Sequence, residues 1–307
     1  MKLLVTGGGT VGTAVARAAR SRGAQVLVVD ARGLDTELDS VRCDVTDTAA
    51  LLSVFTEWAP DHVVHTAGII GRKVDTAPPL AVGVNVTGTV SVLECARRSS
   101  VEHVVLASSL AVYDWSRIDP DDGPIQEDAA GRPTSLYGAS KIAAETLAGQ
   151  FARSGGPAVS VLRFAGVYGL HGGGGGALLS SALSNIIRRS IRGQEVTLPP
   201  FMGCTEYLNA VDAAHAVLLA LDTGTSPWRV LNVGAGRVHG ADEVAELLRW
   251  AVPGARIGVP PTSRFLPPLD LARARSELGY APQVDLQDGI AELAEAIRRD
   301  EETACTN

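Results

Sequence analysis

The sequence predicts an α/β fold, a doubly wound parallel sheet with a smaller, interwoven C-terminal lobe. Three observations carry this. Short Val- and Leu-rich runs alternate with longer helical patterns through the first half of the chain. The first run passes through a glycine-dense loop, VTGGGTVG (5–12), straight into a helical pattern. The second run, QVLVVD (25–30), ends on an aspartate.

Apolar runs at residues 2–5, 25–29, 61–65, 102–107 and 159–164 read as strands buried on both faces. Helices are expected at 11–22, closing at Gly23, and at 49–58, stopping before Pro60. Two more are expected at 80–98 and 136–153, where Val, Leu and Ala recur at helical spacing. Beyond residue 166 the rhythm loosens, with helices expected at 177–192, 211–221, 241–250 and 286–299 and a strand at 229–233. The expected organisation is a sheet domain over 1–165 and a lobe over 166–300, some segments of which return to the first domain. A frayed tail is expected over 301–307.

A chain of 307 residues can bury a sizeable core, and its formal net charge of −7 argues against nucleic acid or an anionic membrane as partner. Cys43, Cys95, Cys204 and Cys305 lie far apart without a CxxC pair, so neither a metal site nor a disulfide framework is expected. Met1 and Lys2 lead directly into a strand, leaving no room for a signal peptide, and no apolar stretch reads as long enough to cross a bilayer. A cytoplasmic protein is expected.

Gly7, Gly9 and Gly12 satisfy G-x-G-x-x-G between a strand and a helix, the context that gives this short motif its meaning. One glycine makes a tight turn, one lets a pyrophosphate approach the backbone, and one lets helix and strand pack closely. Phosphates then lie on the helix N-terminus, whose N–H groups and dipole favour negative charge. The fold is thus of the Rossmann type. Asp30, about twenty residues beyond the loop, is placed to accept the ribose hydroxyls of NAD and to repel a 2′-phosphate. A solvated acid at a strand end is the competing reading. Arg32 speaks in the other direction, since an arginine there can accommodate NADP. NAD is the expected cofactor and NADP the less favoured one. Asp44 is a candidate partner for the adenine amino group, against simple capping of the helix that begins near Asp47.

The stretch YGASK (137–141) sets Tyr137 and Lys141 four apart, on one face of a helix. A phenol of ordinary acidity is a poor base at neutral pH, but a neighbouring ammonium and a cationic nicotinamide would favour the phenolate. Tyr137 would then serve as general acid/base between a carbinol and a carbonyl. Ser108 and Ser109 follow the strand at 102–107, at the carboxyl edge where open α/β sheets bind ligands. A surface Tyr–Lys pair and ordinary turn serines are the bland alternatives.

The motifs VTGGGTVG, Asp30, HTAG (65–68), NVTGT (85–89), SSLAVY (108–113), YGASK and LRFAGVYG (162–169) occur in an order that resembles the extended short-chain dehydrogenases/reductases. These form the NAD-dependent epimerase/dehydratase family. The resemblance continues through NVGAG (232–236) and SELGYAP (276–282), so it spans nearly the whole chain. It implies a catalytic set of Ser109, Tyr137 and Lys141, with Lys141 also holding the nicotinamide ribose. It implies cofactor contacts from Gly7, Gly9, Thr10, Val11 and Gly12, from Asp30 and Arg32, and from Asp44 and Val45. Further contacts would come from Thr66, Ala67, Gly68, Asn85 and Ala107, and from Phe164, Gly166 and Val167. Asn85 matches an asparagine that ties the central helix to the sheet, against the favoured plainer reading of a buried polar group satisfied by backbone. Ser108, Ser109, Ile70, Arg188, Thr205 and Arg264 are the candidate substrate contacts. A homodimer is also implied, with the segments 80–98 and 136–153 pairing as a four-helix bundle.

Four departures bear on the substrate. The family's glycine loop usually reads G-x-x-G-x-x-G, one residue longer than here. Ser109, Leu110 and Ala111 stand where sugar dehydratases carry Thr-Asp-Glu, which removes the acid–base pair needed to expel water. Thr205 stands where an arginine usually holds a substrate diphosphate, and threonine cannot supply that bidentate, charged contact. Gly166 replaces a common asparagine. Arg188, Arg189, Arg192 or Arg264 are candidates for the missing charge, against the plainer reading of solvated arginines. The glycine run that follows His171 is a candidate lid hinge, against simple loop flexibility.

The expected function is an NAD-dependent oxidoreductase of the sugar epimerase/dehydrogenase type, acting on a small polyhydroxylated or sugar-like substrate. The alternatives are a nucleotide-sugar 4-epimerase that regenerates its NAD and, from another class, a non-catalytic NAD(P)-binding regulator.

Overall fold

The computed structural model describes residues 1–34, 37–129, 131–170, 177–224, 226–261 and 266–306. In chain order its first half contains β1 (Lys2–Thr6), α1 (Thr10–Ser21), β2 (Gln25–Asp30), β3 (Ser40–Arg42), α2 (Thr48–Trp58), β4 (His62–His65), α3 (Arg72–Thr76) and α4 (Pro78–Val82). A π-helical turn, Gly83–Gly88, joins α4 to α5 (Thr89–Arg98), and then come β5 (His103–Ser109), α6 (Leu136–Arg153) and β6 (Ala158–Phe164). The remainder comprises β7 (Gly166–Tyr168), α7 (Leu178–Ile191), β8 (Val196–Thr197), β9 (Cys204–Asn209), α8 (Ala210–Asp222) and β10 (Trp228–Val233). It closes with β11 (Val238–Gly240), α9 (Ala241–Ala251), β12 (Ile257–Gly258), α10 (Ala272–Leu278) and α11 (Leu286–Thr306).

The main sheet has seven parallel strands in the order β10-β6-β5-β4-β1-β2-β3. Leu3, Leu4 and Val5 of β1 are fully buried, which is why the run carries no polar alternation. The chain moves outward from β1 to β3, then crosses back to β4 on the other side of β1. At that reversal the loops after β1 and β4 diverge and leave a crevice at the carboxyl ends of the strands.

Two apolar layers cover the sheet. Val15, Ala16 and Ala19 of α1 pack with Ala213, Ala216, Val217 and Ala220 of α8 on one face. Leu51 and Phe55 of α2, Val92 and Ala96 of α5 and Ala148 of α6 fill the other. A third core belongs to the C-terminal lobe, where Leu183 and Ile187 of α7, Val244 and Leu248 of α9 and Ile290 and Leu293 of α11 meet. The lobe is interleaved with the sheet, since β10 returns to its edge while β9 pairs with β7 and β11.

Three sequence expectations are corrected. The helical run Pro78–Arg98 has a mean hydropathy of 1.3 and is long and apolar enough to cross a membrane by length and composition. Half of it is buried within the fold, and its apolar side chains serve the core against α2 and the sheet. The run is also interrupted by the π turn, which rolls Asn85 inward. The expected frayed tail is instead helical through Thr306, anchored where Glu301 accepts hydrogen bonds from Arg188 and Arg192.

Ile290 is fully buried between α11 and its neighbours in the lobe. Ile290→Ala should therefore cost about 2–5 kcal/mol, read as a lower urea midpoint at unchanged slope.

Candidate active site

The glycine loop turns at Gly7, whose φ of +92° favours glycine and whose N–H donates to the Val29 carbonyl at 2.7 Å. Gly12 performs the close packing: a Cβ there would lie 1.9 Å from the Gly7 carbonyl oxygen and 2.7 Å from the Thr66 hydroxyl. Gly9 precedes α1 and contributes no side-chain cap, so the N–H groups of the first helical turn open toward the crevice. The shorter loop therefore keeps the tight turn at Gly7 and the close packing at Gly12. Thr66 fastens it by donating to the carbonyls of Thr6 and Gly7, each at 2.9 Å.

Asp30 stands at the end of β2. Its Oδ2 accepts the Gly8 N–H at 2.8 Å, and its Oδ1 accepts the Arg32 N–H at 2.9 Å. The Arg32 guanidinium lies 3.6 Å from the same carboxylate. A carboxylate fixed this way fits a pair of ribose hydroxyls and opposes a phosphate. Asp44 forms a local turn with Thr46 while lining the same cleft, and capping of α2 falls to Asp47, which accepts the Ala50 N–H.

One continuous cleft of about 1140 Å³ runs from this loop to the C-terminal lobe. Its wall includes Gly7, Gly9, Thr10, Val11, Gly12, Asp30, Arg32, Asp44, Val45, Thr66, Ala67, Gly68 and Ile70. Ala107, Ser108, Ser109, Tyr137, Lys141, Phe164, Gly166, Val167 and Thr205 line it further along. The cleft is thus built from strand ends far apart in sequence, and the residues present fit a dinucleotide from the α1 N-terminus to Lys141.

Ser109, Tyr137 and Lys141 meet midway along it. The α6 helix starts at the Ser135 cap, whose hydroxyl accepts the Gly138 N–H at 3.1 Å, and this sets the rotation that turns Tyr137 and Lys141 inward. Gly138 is required by contact, since a Cβ there would lie 2.0 Å from the Ala111 carbonyl. The Ser109 hydroxyl hydrogen-bonds the Tyr137 phenol and also accepts the Ala111 N–H at 3.2 Å. Lys141 donates to the Ala107 carbonyl at 2.9 Å, and its ammonium lies 5.8 Å from the centre of the Tyr137 ring.

The electrostatics differ from the sequence expectation in one respect. Burial pushes the Tyr137 phenol up to about 12, against the opposing hydrogen bond from Ser109. The protonated phenol therefore faces the cleft at neutral pH, and a cation placed over it works in the opposite sense. Burial also pulls Lys141 down to about 8, with the Glu145 carboxylate holding it up. His65, buried between the hydroxyls of Thr6 and Thr89, is driven down to about 3 by burial and by the Lys141 charge, and so is neutral.

Several expected contacts are placed elsewhere. Asn85 does not reach the cleft; its amide pairs with both the N–H and the carbonyl of Ile69 and donates to Ser140, tying helix to loop. Ser108 lines the cleft but spends its hydroxyl on the buried Glu145 carboxylate. Arg188 is paired with Glu301 at 2.9 Å on the far side of the lobe and does not line the cleft. Arg264 and the candidate hinge at 171–176 lie outside the described residues. Gly166 is explained by crowding, since a Cβ would lie 2.9 Å from both the Glu206 carbonyl and the Leu179 side chain.

Sequence reasoning missed the apolar wall at the lobe end of the cleft, made by Leu110, Trp115, Leu178, Phe201, Leu266 and Pro267. Trp115 is held by an Nε1 hydrogen bond to the Leu110 carbonyl at 3.1 Å and stands edge-on to Tyr113. Its position two residues beyond SSLAVY was the one available signal; the others carry no spacing that marks them.

Residues 3–234 match the model of the NAD dependent epimerase/dehydratase family. A UDP-glucose 4-epimerase of Mycolicibacterium smegmatis is 33% identical over 279 residues, covering 85% of this chain and 83% of that protein. Among solved structures, a Thermus thermophilus UDP-glucose 4-epimerase in complex with NAD superposes with a TM-score of 0.84 at 29% identity, covering 97% and 99% of the two chains. A Thermotoga maritima UDP-glucose 4-epimerase with UDP-glucose gives 0.85 at 25% identity, covering 98% and 100%.

Asp30→Ser should weaken NAD binding about 10- to 100-fold, the worth of hydrogen bonds to a charged acceptor, and narrow the preference over NADP; calorimetric titration with each dinucleotide measures both.

Proposed function

The chain belongs to the NAD-dependent epimerase/dehydratase family, and from that premise we propose that it interconverts a secondary alcohol and a ketone on a small polyhydroxylated or sugar-like substrate. The observation that carries this reading is the meeting of Ser109, Tyr137 and Lys141 in the cleft that also holds the glycine loop and Asp30. NAD, when bound, supplies the hydride acceptor and donor for the carbinol carbon. The glycine loop and the first turn of α1 would hold its phosphates, Asp30 its adenosine ribose, and Lys141 its second ribose. Tyr137 gives or takes the proton at the substrate oxygen through its phenol oxygen, and Ser109 orients that oxygen by hydrogen bonding. The Lys141 ammonium stabilises the phenolate whenever it forms.

A nucleotide-sugar 4-epimerase is the second reading, favoured by the names of the relatives. Thr205 in the cleft speaks for a different grip on the substrate than a diphosphate clamp. A non-catalytic regulator is the weaker alternative, because all three reactive side chains are present and converge. The two enzymatic readings separate on the cofactor. An epimerase keeps its NAD and interconverts UDP-glucose and UDP-galactose with no lasting change in nicotinamide absorbance. A dehydrogenase or reductase consumes exchangeable cofactor with a sugar, sugar acid or keto sugar.

We further propose a cytoplasmic homodimer in which the faces of the Pro78–Arg98 run and α6 pair about a two-fold axis. The exposure of Val82 (40%) and Leu147 (36%), which lie outside the cleft, supports such a contact. Sedimentation at micromolar concentration should give the mass of two chains, and a monomer would exclude the contact. Tyr137→Phe should lower turnover about 100-fold or more while NAD affinity stays within a few-fold, measured by steady-state assay and calorimetry. Intact turnover in that variant would overturn the assignment.

A further inference from the structure

One turn beyond Lys141 on the same helix, Glu145 is buried against the main sheet. Its carboxylate is enclosed by donors from two strands. Ser108 of β5 donates to Oε1, and Arg163 of β6 donates through Nε to Oε1 at 3.1 Å and through Nη2 to Oε2 at 2.7 Å. The guanidinium is in turn held by the Glu127 carbonyl at 2.6 Å and by the hydroxyl of Tyr113, over whose ring it sits at 5.4 Å. Tyr113 donates to Asn232 of β10 at 2.5 Å. None of these groups is needed for the cofactor cradle.

Such a pair is weak evidence for stability, because apolar residues of similar volume often replace a buried ion pair at no cost. Its position suggests another purpose. A bidentate guanidinium holds the carboxylate in a fixed geometry, one helical turn from the buried ammonium of Lys141. We propose that Glu145 is the positioning residue of Lys141, a carboxylate locked by Arg163 and Ser108 one helical turn away that keeps the lysine charged beside Tyr137, while the Ala107 carbonyl holds its ammonium in place.

The groups facing Lys141 are few. Tyr137 and Glu145 lie on its own helix, the Ala107 carbonyl accepts from it on β5, neutral His65 approaches from β4, and Arg163 stands beyond Glu145 on β6. Among the described residues that face it, Glu145 is the one acidic side chain. Burial draws the lysine toward neutrality, and Glu145 opposes that pull. Without it, a large share of Lys141 would be uncharged at neutral pH, and the phenolate would lose its partner.

The inference rests on the reading of Tyr137 and Lys141 as the catalytic pair, but its test needs no turnover. The chain has only three lysines, Lys2, Lys73 and Lys141, so NMR of protein labelled at the lysine ε-carbon resolves each, and Lys141→Met identifies the third signal by its loss. In the full chain the Lys141 midpoint is expected near pH 8. Glu145→Gln should move it down by about one pH unit or more, and Glu145→Asp should keep it near the wild-type value. If the Gln variant does not fold, the double variant Glu145→Met with Arg163→Met, which leaves no buried charge, should still show a lowered midpoint. A purely structural Glu145 would change thermal stability and leave the midpoint where it was. An unmoved midpoint in the folded Gln variant, or in the double variant where that one does not fold, overturns the proposal. An unmoved midpoint alongside Tyr137-dependent turnover defeats this inference alone, whereas intact activity in Tyr137→Phe defeats the functional reading and leaves a midpoint shift standing.

Discussion

The contact between Gly12 and the Gly7 carbonyl holds the rest of the arrangement in place. With no room for a Cβ at Gly12, α1 starts close enough to β1 that its free N–H groups look into the crevice left by the reversal of strand order. The parallel sheet fixes where that crevice opens, and the loops after β1, β2, β4 and β5 all end at it. The glycine loop, Asp30, Ser109, Tyr137 and Lys141 share one cleft for one geometric reason, because successive parallel strands deliver their carboxyl ends to the same edge.

The chemistry at that edge is governed by burial. Desolvation raises the Tyr137 phenol and lowers the Lys141 ammonium, so the two groups would both prefer to be neutral if left alone. Ser109 on one side and Glu145 on the other act against that tendency. Beneath them, Arg163, Tyr113 and Asn232 continue the polar contacts to Ile125, whose backbone pairs with Pro268 and Asp270 next to the lobe wall at Leu266 and Pro267. A continuous set of hydrogen bonds therefore links Glu145 to the segment that carries the lobe wall of the cleft.

Much of this was legible in the chain. The five strand runs, the α6 boundaries and the shared face of Tyr137 and Lys141 could be read because each depends on local pattern: fully apolar runs, apolar residues at helical spacing and a spacing of four. The errors have a common physical origin. Arg188 looked available until α11 brought Glu301 to it, and of the two readings open for Asn85 the fold selects the backbone-satisfied one, at Ile69, over a cofactor contact. The apolarity of Pro78–Arg98 likewise acquires its meaning from the helices that cover it. In each case the partner lies far away in sequence.

The sequence by itself determined the parallel α/β class, the glycine-rich turn after β1, the acidic residue at the end of β2 and the shared helix face of Tyr137 and Lys141, because backbone freedom and helical periodicity are properties of neighbouring residues. Only the tertiary structure decided which glycine does what, which serine faces the phenol and which one faces Glu145, and that the lobe lines the cleft with apolar side chains. Those outcomes are set by contacts across strands and lobes, where burial and the nearest charge, rather than residue type, decide what a side chain does.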